Sequence, residues 1–150
     1  MIIAFCGHSE ILHRESLFDS VIAAITERAE GDVTFYLGGY GDFDAVALLA
    51  CKKYRETHPS SKLIFVTPYP STEYLKNRKS YLENFDGTIY PEIEQTLPIY
   101  AILKRNEWIA RHADFIIAYV NYGWGGAAKM LRYAIRKKKN YLNLGNYRFE

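Results

Sequence analysis

The chain has little of the material from which several common functions are built. It holds 2 cysteines, Cys6 and Cys51, in no CxxC pair and at no metal spacing. A disulfide framework and a zinc site are therefore excluded, and both thiols are expected to be free, reduced and buried. None of the 4 histidines falls in HExxH or another ligand spacing, so no metal is expected. The formal net charge is only +2 and no basic stripe is visible. Neither nucleic acid nor a membrane surface is expected as a partner on that ground. Apolar runs are short: Met1 leads directly into IIAFCG, too brief for a signal segment or a spanning helix, and a cytoplasmic protein is expected. Neither GxGxxG nor GxxxxGK[ST] occurs, so NAD and ATP lack their usual fingerprints and no cofactor is expected.

What remains is an ordinary globular composition, 49% hydrophobic and 24% charged over 150 residues. That length fits one domain, residues 1–150, with a core of its own. The 13 tyrosines suit pocket walls or subunit contacts as well as plain surface.

Along the chain, short apolar runs alternate with helical stripes. Strands are expected at Ile2–Cys6, Val33–Leu37, Lys62–Val66, Asp114–Val120 and Tyr141–Leu144, with a short extra strand near GTIY. Helices are expected at Glu15–Ala29, Asp42–Thr57, Ile99–His112 and Gly125–Lys138, and another from Ser71 to about Glu83. Five-residue strands separated by helices predict an α/β fold: one Rossmann-like doubly wound domain, its mainly parallel sheet covered by helices on both faces.

Such sheets bind ligands beyond the carboxyl ends of their strands. Here the strand exits carry Gly7-His8-Ser9, Gly38-Gly39-Tyr40-Gly41, Thr67-Pro68-Tyr69 and the stretch from Tyr119 to Gly126. The two glycine-rich exits differ chemically. The helix after Gly125-Gly126 opens without an acid and carries Lys129 and Arg132 early, which suits an anion such as phosphate. The helix after Gly41 opens with Asp42 and Asp44, which would repel phosphate and could meet ribose hydroxyls. Asp42 is equally an N-cap, Asp44 a first-turn acid that favours the dipole, and Gly125-Gly126 a tight turn. On the helix carrying KRNEW, Arg105 could grip a phosphate bidentately and Asn106 could bond a base or ribose; a solvated Arg105 and a core Trp108 are the plain alternatives. RKKK at 136–139 reads as a solvated cationic helix end.

The stretches IIAFCGHSEI, LGGYGDFDAVALLA, KLIFVTPYP and KRNEWIARHADFIIAYVNYGWGGAAKMLRYAIRKKKNYLNL, in this order, resemble the SLOG superfamily, the Rossmann-like group that includes DprA and the LOG enzymes. Within it the chain looks most like the YpsA-like branch. The resemblance implies a ligand groove touched by Gly7, His8, Gly38, Gly39 and Asp44 from the first half. From the second half it implies Arg105, Asn106, Gly125 and Gly126. It implies binding of a nucleotide or nucleotide-derived signal, and assembly as a homo-oligomer. Tyr40 and Lys129 join the candidate set from the exits themselves. The chain departs from the LOG pattern PGGxGTxxE, with Trp124 for Pro, Ala128 for the second-block Gly and Arg132 at the Glu position.

A binding module (sensor, carrier or sequestering protein) is therefore expected before an enzyme. The alternative is an N-glycosidic hydrolase acting on nucleoside monophosphates. It would need a carboxylate beside the anomeric carbon, for which Asp44 and Glu107 are the candidates.

Overall fold

The computed structural model describes residues 1–39, 41–68, 83–91 and 98–149. Tyr40, and all but the end of the helix expected from Ser71, lie outside the described residues. In chain order the elements are β1 (Ile2–Gly7), α1 (Arg14–Arg28), β2 (Thr34–Leu37), α2 (Asp42–Thr57) and β3 (Lys62–Val66). They continue with β4 (Gly87–Ile89), α3 (Pro98–His112), β5 (Phe115–Tyr119), α4 (Gly125–Arg136) and β6 (Asn140–Asn143).

The strands form one sheet in the order β4-β3-β2-β1-β5-β6, each neighbouring pair parallel. Strand alternation divides the core in two. Ile3 and Phe5 of β1, Phe35 and Leu37 of β2, and Leu63 and Phe65 of β3 pack with Leu17, Val21 and Ile25 of α1 and Val46, Ala50 and Cys51 of α2. On the other face Ala4 and Cys6 of β1 and Ile116 and Ala118 of β5 pack with Ile109 and Ala110 of α3 and Ala128, Leu131 and Ala134 of α4. Apolar residues on both faces are what parallel strands covered by helices require. The second face is built mainly from small side chains. They let α4 come close to the sheet, and the Cys6 thiol donates to the Ala127 carbonyl at 3.1 Å.

Both cysteines are free and buried, as expected. Leu49, in contrast, is 57% exposed. The buried stripe of α2 runs through Val46, Ala47, Ala50, Cys51 and Tyr54, and Leu49 falls beside it. The RKKK run is not simply solvated either. The Lys139 ammonium donates to the carbonyls of Arg111 at 2.7 Å and Ala113 at 3.2 Å, closing the end of α3. Among the described residues, no helix is long and apolar enough to cross a membrane, and no cluster of three metal-ligating side chains occurs.

The chain builds outward from β1 to β4, then returns past β1 to add β5 and β6. Strand order therefore reverses between β1 and β5, where Gly7 pairs with Tyr119.

Candidate functional site

At that reversal β1 ends on Gly7, and a Cβ there would overlap the ring of Phe43 from α2. His8 follows, 6% exposed. Its Nε2 accepts the Asn121 amide at 2.8 Å, which leaves the proton of the neutral ring on Nδ1. Burial lowers its pKa below the ordinary histidine value, in keeping with that neutral state. The carbonyls of His8 and Ser9 accept the amides of Phe43 at 3.3 Å and Asp42 at 2.9 Å. The first turn of α2 thus spends two of its free donors on the β1–α1 loop.

Asp42 is the first residue of α2, with Gly41 at the N-cap in a left-handed conformation (φ 89°). Its carboxylate does not cap its own helix. It accepts the Ile11 amide at 3.0 Å and the guanidinium of Arg14, fastening the loop to α2. The Ile11 amide foremost, and Arg14 with it, hold this carboxyl below the usual range. Asp44 stands one turn face further round and borders a cavity.

Arg105 of α3 is 3% exposed. Its Nη1 donates to the carbonyls of Gly38 at 3.0 Å and Val66 at 2.7 Å, and its Nε donates to Asn106 Oδ1 at 2.9 Å. The expected bidentate phosphate grip is therefore corrected. One nitrogen, Nη1, straps the exits of β2 and β3 together, and Nε is held by the neighbouring Asn106, while the side chain still borders the cavity.

The exit of β5 is different. α4 begins after Trp124 with no side-chain cap and no acid in its first turn. Among the described residues, the amides of Gly125, Gly126 and Ala127 have no hydrogen-bond acceptor. A Cβ at Gly125 or Gly126 would meet nothing within 4 Å. Tyr122 stacks on His8 (centroids 3.9 Å apart, planes 8° from parallel), and Trp124 stacks on Tyr122 at 4.2 Å. Arg132, at the LOG glutamate position, donates to the Gly123 carbonyl at 3.1 Å and lies over the Phe149 ring. It braces the loop and does not reach the cavity.

These exits surround one cleft of about 290 Å³. Gly7, His8, Gly38 and Asp44 line it from one side, Arg105 and Asn106 from α3, and Gly125 and Gly126 from the start of α4. Three candidates fall elsewhere. Gly39 (φ 75°) is closed by the Phe65 ring, Lys129 is exposed outside the lining, and Glu107 pairs with Lys104 at 3.7 Å away from it. Glu107 is accordingly withdrawn as a catalytic candidate. The cleft also uses residues that strand exits alone do not reveal. Ile102 and Ile109 come from the same face of α3 as Arg105, at i−3 and i+4, and Met130 stands beneath the opening turn of α4. Cys6 also lines the cleft, where burial, with Asp44 adding to it, pushes its thiol far above the usual value and favours the protonated form.

No family model matches the sequence, and no curated protein matches it. Solved structures do. DprA of Streptococcus pneumoniae superposes on 94% of this chain with a TM-score of 0.63 at 16% identity. This chain spans 49% of that protein, about half its length. DprA of Helicobacter pylori, described for its single-stranded DNA binding mode, superposes on 100% of this chain with a TM-score of 0.64 at 18% identity. This chain covers 67% of it. The likeness is one of fold, and that fold is Rossmann-like. It also overturns the exclusion of nucleic acid, because a chain of this architecture binds single-stranded DNA. Net charge sums over the whole surface, whereas binding depends on a few local amides, cations and rings.

Proposed function

We propose that the cleft binds a nucleotide-derived small molecule. Its anionic group meets the first turn of α4, and its sugar hydroxyls turn toward Asp44. The observation that carries this reading is the pairing of opposites within one cavity. Three uncapped helix amides and one carboxylate border the same cavity. Free N-terminal amides and the helix dipole favour phosphate, and a carboxylate beside them suits neutral hydroxyl donors better than a second anion. The buried guanidinium of Arg105 adds positive potential without being spent on the ligand. We take the chain to be a SLOG-type protein of the YpsA-like branch, a reading supported by the DprA-like fold and by the order of its motifs. Binding rather than turnover is preferred. Among the described residues the cleft is lined by one carboxylate, Asp44, and the LOG glutamate position holds Arg132.

The test is a thermal-shift series with nucleoside monophosphates and ribose 5-phosphate, with chromatography for released base. At a hundredfold excess over Kd a ligand adds about 2.7 kcal/mol, a rise of roughly 5–10 °C for a chain of this size. Stabilisation without base release, weakened in Asp44→Asn, supports the reading. Base release abolished by Asp44→Asn replaces it with the hydrolase. Stabilisation by single-stranded oligonucleotides alone, with monophosphates inert, contradicts it.

A further inference from the structure

Trp124 is 69% exposed, the most exposed aromatic side chain among the large apolar residues of the described surface. It is not a stray surface ring. It is the outermost member of a stack that starts inside the cleft: His8 buried, Tyr122 half-buried, Trp124 open to solvent. The rings stack at 3.9 Å and 8° and then at 4.2 Å and 26°, so the series ends on a largely exposed indole.

The stack is held from below. Asn121 gives its amide to His8, and its side-chain oxygen accepts the Asn146 amide at 2.9 Å. Asn143 exchanges hydrogen bonds with both backbone groups of Val120, and the Tyr147 hydroxyl presses on Gly123. A platform fixed this way loses little freedom when a flat partner settles on it.

Trp124 is also the N-cap of α4, the residue directly before the uncapped amides of Gly125 and Gly126. An aromatic ring and the amides proposed for phosphate thus come from consecutive residues, as a nucleotide's base and phosphate would require.

We propose that the outer face of Trp124 seats the nucleobase of the cleft's ligand as the fourth ring of the His8–Tyr122–Trp124 stack. This rests on the reading of the cleft given above and adds what that reading lacks, a site for the base. Aromatic faces hold any base, so affinity arises from stacking and base identity is read weakly. The Trp124 side chain makes no cap hydrogen bond and is mostly outside the core. Its removal therefore leaves the fold intact.

Calorimetric titration of the full chain with AMP and with ribose 5-phosphate tests the idea, comparing wild type with Trp124→Ala and Trp124→Phe. The expected result is AMP binding weakened roughly 5- to 150-fold in Trp124→Ala, the range of base-on-aromatic stacking. Trp124→Phe should recover most of the loss, and ribose 5-phosphate should bind all three proteins alike. In a Trp108→Phe background, AMP should also quench the remaining Trp124 fluorescence. AMP and ribose 5-phosphate binding equally to wild type, with Trp124→Ala without effect on either, overturns the base seat and leaves the cleft reading standing. If neither compound binds wild type, both fall. A second copy as the occupant of Trp124 predicts a changed sedimentation coefficient in Trp124→Ala at constant AMP affinity, and that result too overturns the proposal.

Discussion

The two glycine turns of this molecule look alike in sequence and do opposite work. At 38–41 the protein fills its own turn: Phe65 closes on Gly39, the Arg105 guanidinium covers Gly38, and Ser9 lies 2.7 Å from where a Gly41 Cβ would sit. The amides that open α2 are already bonded to Ser9 and His8. At 125–126 nothing fills the space, and the amides that open α4 are left over. A glycine pair marks close approach, but in the first turn what approaches is a neighbour's side chain and in the second the space is open. The first turn is a joint of the fold. The second is a mouth.

Substitutions should separate them. The largest loss is expected for Gly39→Ala, which combines a left-handed backbone with overlap on the fully buried Phe65. Strain and overpacking each cost about 1–3 kcal/mol, so denaturant melts should show stability falling by about 3 kcal/mol or more. Next is Arg105→Met, which orphans the Gly38 and Val66 carbonyls. Urea titration should report a loss of about 2–3 kcal/mol. If Arg105→Met instead kept full stability and lost only ligand binding, Arg105 would belong with the mouth.

A smaller effect is expected from pH. The His8 pKa is lowered in the folded chain, so its contribution is complete above the unfolded value of about 6.5 and is lost as pH falls toward the folded one. Protonation removes the acceptor for the Asn121 amide and loosens the exit that carries Tyr122 and Trp124. Melting temperature should drop as pH falls below about 6.5, and the slope should flatten in His8→Phe. The smallest stability change belongs to Gly126→Ala, within about 0.5 kcal/mol of wild type, because the methyl enters open space. Its calorimetric affinity for AMP should nevertheless fall. An unchanged affinity would mean that the second turn is as closed as the first.

The fold was legible because each strand is bounded by its own punctuation and each helix has its own stripe. Asp42–Thr57 and Lys62–Val66 come out of the sequence with their observed ends. Convergence of the exits follows from parallel strands meeting helices at one edge, without knowledge of strand order. The choice among side chains was harder. Glu107 lies about 200° round α3 from Arg105, so helical phase removes it from the cleft; Lys129, at i+4 from Gly125 and i+3 from Gly126, is in phase with the lining, and only the structure shows it exposed outside it. What no periodicity contains is the partner of Arg105. The Gly38 and Val66 carbonyls are 67 and 39 residues away in sequence, and any buried cation near a strand end would read alike. The same holds for Gly7, whose missing side chain is explained by Phe43 of another element.

The contrast between joint and mouth can be read directly from backbone amides. Nitrogen-15 correlation spectra of the chain, titrated with ribose 5-phosphate, report each turn separately and need no base. The account predicts progressive shifts at Gly125, Gly126 and Ala127 while Gly39 and Gly41 hold still. Movement at the 38–41 turn with the opening amides of α4 unchanged would contradict it.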